Sequence, residues 1–109
     1  MGKVIKDGFV AVVIHPTFGG GWSTWNVDEL TETLIFHPSI VNAVLEGRRG
    51  ELNEEWFIAN FGENYRGVWT GAREEIEVVW VKEGTVFKIE EYDGAENICE
   101  LSYENTFKA

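Results

Sequence analysis

The sequence predicts an α+β domain, a small and mostly antiparallel sheet with two or three helices on one face. Three observations lead there. An alternating apolar segment lies near the start, helix signals fill the middle, and period-two patterning with hairpin turns returns near the end. Strands and helices are thus segregated along the chain, which argues against alternating βαβ units. The 109 residues are one domain's length, and neither linker nor internal repeat divides them, so 1–109 is read as a single domain.

Residues 3 to 14 form the first predicted strand. Val10, Val12 and Ile14 alternate with Phe9, Ala11 and Val13, and two apolar faces mark a central strand. His15-Pro16 ends it, and Gly19 to Gly21 open an irregular loop. Asn26, with Glu29 three residues on, resembles a capping box, so a helix is expected through DELTETLIF, stopping before Pro38. Pro38 suits the first position of a second helix, where Ile40/Val44 and Val41/Leu45 form i,i+4 pairs and Gly47 closes the element. A third helix is expected from about Asn53 to Phe61, with Leu52, Trp56 and Ala59 inward and Gly62 at its end.

Period two then returns over Glu75 to Val81, with Ile76, Val78 and Trp80 on one face. Lys82-Glu83-Gly84 reads as a turn, Val86 to Tyr92 as a second strand, and Asp93-Gly94 as a type I′ hairpin into a strand around Asn97 to Tyr103. The expected sheet is the N-terminal strand plus this three-stranded meander. Val10, Val12, Ile14, Ile76, Val78, Trp80, Phe87 and Ile89 are expected to share one core against the helices.

Charge narrows the partners. Nineteen acids against nine bases give a net −10, and six acids with no base fall between Glu90 and Glu104. Such a chain repels nucleic acid and anionic membrane, so no direct nucleic-acid or membrane partner is expected. Carboxylates on strand faces and hairpin tips can imitate phosphates toward a basic groove, or they can serve solubility alone. No apolar stretch approaches the roughly 20 residues that span a bilayer. The N-terminal apolar run alternates like a strand and lacks a signal peptide's cleavage site. Cys99 is the only cysteine, which suits a reducing compartment, and the expected location is cytoplasmic.

The loop TFGGGWSTWN, residues 17–26, is the most unusual stretch. Its glycines let backbone approach a ligand, Ser23 and Thr24 add hydroxyls, and Trp22 and Trp25 offer stacking surface. It is neither a P-loop nor a dinucleotide fingerprint. Gly20, Gly21, Trp22, Ser23, Thr24, Trp25 and Asn26 are therefore the candidate ligand-binding loop, unless the tryptophans are simply core. Arg48, Arg49 and Arg66 are candidate anion donors, and Tyr92 and Asp93 candidate neighbours. His15 and His37 lack metal-ligand spacing, Ser23 lacks a nucleophile elbow, and Cys99 lies among acids that disfavour a thiolate. No catalytic residue, metal or cofactor is expected, and the chain reads as a binding protein rather than an enzyme.

The segments VAVVIHPTFGGGWSTWN, LIFHPSIVNAVLEG and EIEVVWVKEGTVFKIEEYDGAENI together resemble a family of short accessory proteins of tailed phages and prophages. The resemblance implies a setting in the infected bacterial host and a role against host defence. In one form, like that of anti-Thoeris and anti-CBASS proteins, the protein sequesters a nucleotide-derived immune signal. In the alternative, an acidic anti-CRISPR-type inhibitor blocks the nucleic-acid-binding groove of a defence effector. The glycine–tryptophan loop and the arginines favour sequestration. An open sheet edge and five tryptophans also point to a homo-oligomer.

Overall fold

Phe9–Ile14 (β2) is the centre of the first sheet, since from Val10 onward both its faces are apolar and buried. In the computed structural model, which describes residues 2–100 and 106–109, β2 lies antiparallel between Ile5–Lys6 (β1) and Glu77–Lys82 (β3). The two-residue turn Asp7-Gly8 joins β1 to β2 with φ of 53° and 83°, the paired positive values of a type I′ hairpin. The stretch expected as one strand is therefore a hairpin.

The second sheet places Val86–Tyr92 (β4) between Ala95–Glu100 (β5) and Phe107–Lys108 (β6). Asp93-Gly94 closes the β4–β5 hairpin as predicted, with φ of 51° and 89°. The expected continuation of β5 to Tyr103 lies outside the described residues. The meander itself is replaced by two three-stranded sheets. Rather than zip onto β4, β3 runs alongside β2 from Phe9↔Lys82 to Ile14↔Glu77, satisfying the second edge of a strand with no access to water.

Two cores follow from this, one on each face of β2, in place of the single core expected. Ala11 and Val13 pack with Trp22, Leu34, Phe57 and Ile76; Val10, Val12 and Ile14 pack with Ile35, Phe36, Val81 and Phe87. Val78 joins the first cluster and Ile89 the second, whereas Trp80 turns its ring to solvent.

Of the helices, Thr31–Phe36 (α1) is shorter than expected and is preceded by a 3₁₀ turn, Asp28–Leu30. Asn26 caps neither element, because its side chain is committed elsewhere. Pro38–Leu45 (α2) begins with Pro38 at N1, and the His37 imidazole Nδ1 accepts the Ser39 N–H at 3.1 Å as its cap. Leu45 is exposed rather than paired inward. Glu54–Phe61 (α3) is capped by Asn53, whose Oδ1 accepts the Trp56 N–H at 2.9 Å, and it ends at Gly62. Phe57 is the buried residue of α3; Trp56 is half-buried and Ala59 exposed, a rotation from the expected inward face. Among the described residues no helix is long and apolar enough to cross a membrane.

Two outcomes are expected. Phe87→Ala removes a fully buried ring set edge-to-face on Phe36, and should cost about 3–5 kcal/mol in urea denaturation. Burial holds His37 below its ordinary pKa, so the unfolded chain takes up the proton first as pH falls. The cap's stability is then full above the unfolded imidazole value near 6.5 and is lost as pH drops through the lower folded value. Relative to His37→Asn, which caps without titrating, the wild type should lose melting temperature between about pH 8 and pH 5.

Candidate functional site

A loop crowded with backbone N–H groups needs an acceptor, and the chain supplies its own. Glu96, the second residue of β5, is fully buried with its carboxylate inside loop 17–26. One oxygen accepts the His15 N–H at 2.9 Å; the other accepts the Trp22 N–H at 2.8 Å, the Thr24 N–H at 3.1 Å and the Thr24 hydroxyl. The Glu96 N–H in turn donates to the His15 carbonyl at 2.7 Å. Burying a carboxylate costs several kcal/mol unless charge-assisted hydrogen bonds replace its water, and here both oxygens are so occupied. The loop donors assigned from sequence to a bound anion are thus turned inward.

The rest of the loop is fixed around this point. The Trp22 ring is fully buried, donates its indole N–H to the Leu34 carbonyl at 2.9 Å, and packs on Phe57; it is core and offers no face to a ligand. Gly20 packs against the hairpin turn so closely that a Cβ at Gly94 would overlap its backbone. Gly21 lies beneath the Trp25 ring, and its carbonyl accepts the Trp69 indole N–H at 2.9 Å. Asn26 is a clamp: its amide donates to the carbonyls of Trp22 and Trp69, and its Oδ1 accepts the Trp69 N–H at 2.7 Å. Ser23 is buried, and its hydroxyl has no partner among the described residues.

What this scaffold projects is aromatic. Trp25 is 44% exposed and lies 5.5 Å from Trp69, which is 38% exposed. Phe18 and Tyr92, at 65% and 76%, meet edge-to-face at 6.2 Å. The β4–β5 turn ties the pairs together. Asp93 accepts the Gly19 N–H through its carbonyl, and Glu91 accepts the Gly94 N–H at 2.7 Å and the Trp25 indole N–H at 3.1 Å. The Gly94 N–H, and after it the indole, hold the Glu91 carboxyl below its usual range. Tyr92 and Asp93 are therefore neighbours of the loop, as expected.

The arginines are not. Arg48 pairs with Glu46 and Glu51, and Arg66 with Glu63, each within its own segment. Arg49 binds Glu77 at 3.0 Å and the Ile76 carbonyl at 2.7 Å. Glu90, above all, pushes the Cys99 thiol pKa up, the direction that disfavours a thiolate. Among the described residues no cluster of three His, Cys, Asp or Glu side chains is placed to hold a metal ion.

Glu96, Trp69 and Phe18 are the site residues that sequence reasoning missed. Glu96 is one of six acids in a run and carries no local mark of burial. Trp69 lies more than 40 residues from Asn26, its clamp. Phe18 lies inside the TFGGGWSTWN motif, where glycines, hydroxyls and tryptophans carry the stronger ligand signal. Comparison with family models, with curated proteins and with solved structures gives no match.

Glu96→Ala should leave three N–H groups and a hydroxyl without their acceptor, each orphan costing about 1–3 kcal/mol, enough to unfold most small domains. Glu96→Gln keeps the shape and reverses one donor–acceptor contact, so it should fold with a loss of about 1–3 kcal/mol in denaturant unfolding. In that variant, amide exchange at Trp22 and Thr24 should accelerate more than exchange in α2.

Proposed function

We propose that this chain is a non-enzymatic binding protein that presents a rigid, acidic and aromatic face to a basic protein surface. In the setting implied by the resemblance, that surface is the nucleic-acid-binding groove of a host defence effector. The observation that carries this reading is the exposed set Phe18, Trp25, Trp69 and Tyr92, seated on a loop whose donors are consumed by Glu96. Aromatic anchors of this kind dominate protein interfaces when their scaffold is already ordered. Glu91 and Asp93 border them, with Glu90 next along β4, and among the described residues none of the three is in a salt bridge. With a net −10 behind them, they attract a basic partner at long range.

Sequestration of a nucleotide-derived signal is the second reading, favoured by the solvent-open Trp25–Trp69 pair on which a base could stack. It ranks behind the first because the phosphates would meet carboxylates, while Arg48, Arg49 and Arg66 are engaged with acids. Homo-oligomerisation is compatible with either reading through β3, the outer strand of its sheet, where Trp80 is exposed.

Titration with an arginine-rich peptide, followed by tryptophan fluorescence, tests the proposal. Binding should weaken with salt, and Glu90→Gln with Asp93→Asn should weaken it by about tenfold. The purified protein, heat-denatured, should release no nucleotide to mass spectrometry. Stoichiometric nucleotide in that supernatant, with no peptide binding, would establish sequestration instead.

A further inference from the structure

Between the two exposed aromatic pairs the surface dips into a cavity of about 200 Å³. Phe18 and Gly19 form one wall, and Gly71 and Ala72 the other. Glu74 and Glu75 line it, over the buried His15 ring. Gly71 sits against the Trp69 ring, so the wall on that side is backed by the second aromatic pair. The place resembles an anchor pocket, an open recess with the exposed Phe18 ring at its edge.

We infer that this recess receives an arginine side chain of the basic partner. The inference rests on the acidic–aromatic reading of the face and names the contact at its centre. Size is the first argument. Pockets for drug-sized ligands run from about 300 Å³ upward, so 200 Å³ suits one side chain and not a whole nucleotide.

Charge is the second. One Glu75 oxygen is occupied by the His15 Nε2 at 3.2 Å and the Thr17 hydroxyl at 2.8 Å, which fixes the carboxylate and leaves its other oxygen open. Glu74 forms no salt bridge among the described residues. The adjacent Arg73 does not fill the role, because its guanidinium is bound to the carbonyls of Gly50 and Thr70. Two glutamates and an exposed phenylalanine lining one recess suit a guanidinium, whose planar fork donates on two edges while its face stacks. An ammonium group matches the charge but neither the fork nor the stacking plane.

The test is an amide-resolved NMR titration of the intact protein with an arginine-rich peptide and with its lysine counterpart. The amides of Gly19, Gly71 and Ala72 should shift and saturate with the arginine peptide, and the lysine peptide should bind several-fold more weakly. Glu74→Gln and Phe18→Ala alter exposed side chains and should leave the fold intact, yet each should weaken the arginine peptide by about 5- to 10-fold. If the peptide binds both variants as tightly as wild type, with shifts confined to Trp25 and Glu91, the recess is not the anchor site although the face reading stands. If neither peptide binds the wild type, both ideas fall together.

Discussion

Inside the protein, the Glu96 carboxylate gathers the end of β2, the glycine–tryptophan loop and the start of β5 onto two oxygen atoms. Without it, the loop's N–H groups would turn outward to water and the loop would have no single conformation to keep. With it, the buried Trp22 is pinned between sheet and helices while Trp25, three residues on, is pushed into solvent. One interaction sorts the two rings into opposite roles. The hairpin turn adds a second layer, since Gly94 packs on Gly20 and Glu91 holds both the turn and the Trp25 indole.

The two sheets explain why such a costly arrangement is tolerated. β2 is covered on both faces, and the clusters on either side of it bury most of the large apolar side chains. Those cores supply the stability that a surface loop cannot generate for itself. α1 joins them, with Leu34 in one cluster and Ile35 and Phe36 in the other. The Leu34 carbonyl also accepts the Trp22 indole N–H, so loop and helix are positioned by the same residue.

Features written in a few adjacent residues were legible in the sequence: the Asp93-Gly94 turn, Pro38 at the head of α2, the start of α3 near Asn53 and Gly62 as its stop. Asp7-Gly8 carries the same turn signal, but the apolar alternation around it reads as one strand. Asn26 shows how a local rule loses to a distant partner. Its spacing to Glu29 suits a capping box, yet two carbonyls and an N–H of the Trp22 and Trp69 segments claim its side chain first. Nothing local separates Trp22 from Trp25, or Glu96 from Glu90, because burial there is decided by β5 docking on the end of β2. The loop's wealth of donors is visible in its sequence, but the acceptor that claims them lies more than 70 residues away.

That acceptor comes late. Glu96 lies 81 residues after His15 and 72 after Thr24, so the loop closes only when the β4–β5 hairpin has formed and docked. Contacts of such sequence separation are slow to make, and on a ribosome they wait for the β4–β5 hairpin to emerge. A growing chain can therefore assemble the β1–β2 hairpin and its helices well before the glycine–tryptophan loop is fixed. The loop takes its shape only once the β4–β5 hairpin has been made, and a fragment that stops short of Glu96 carries the loop's sequence without its shape.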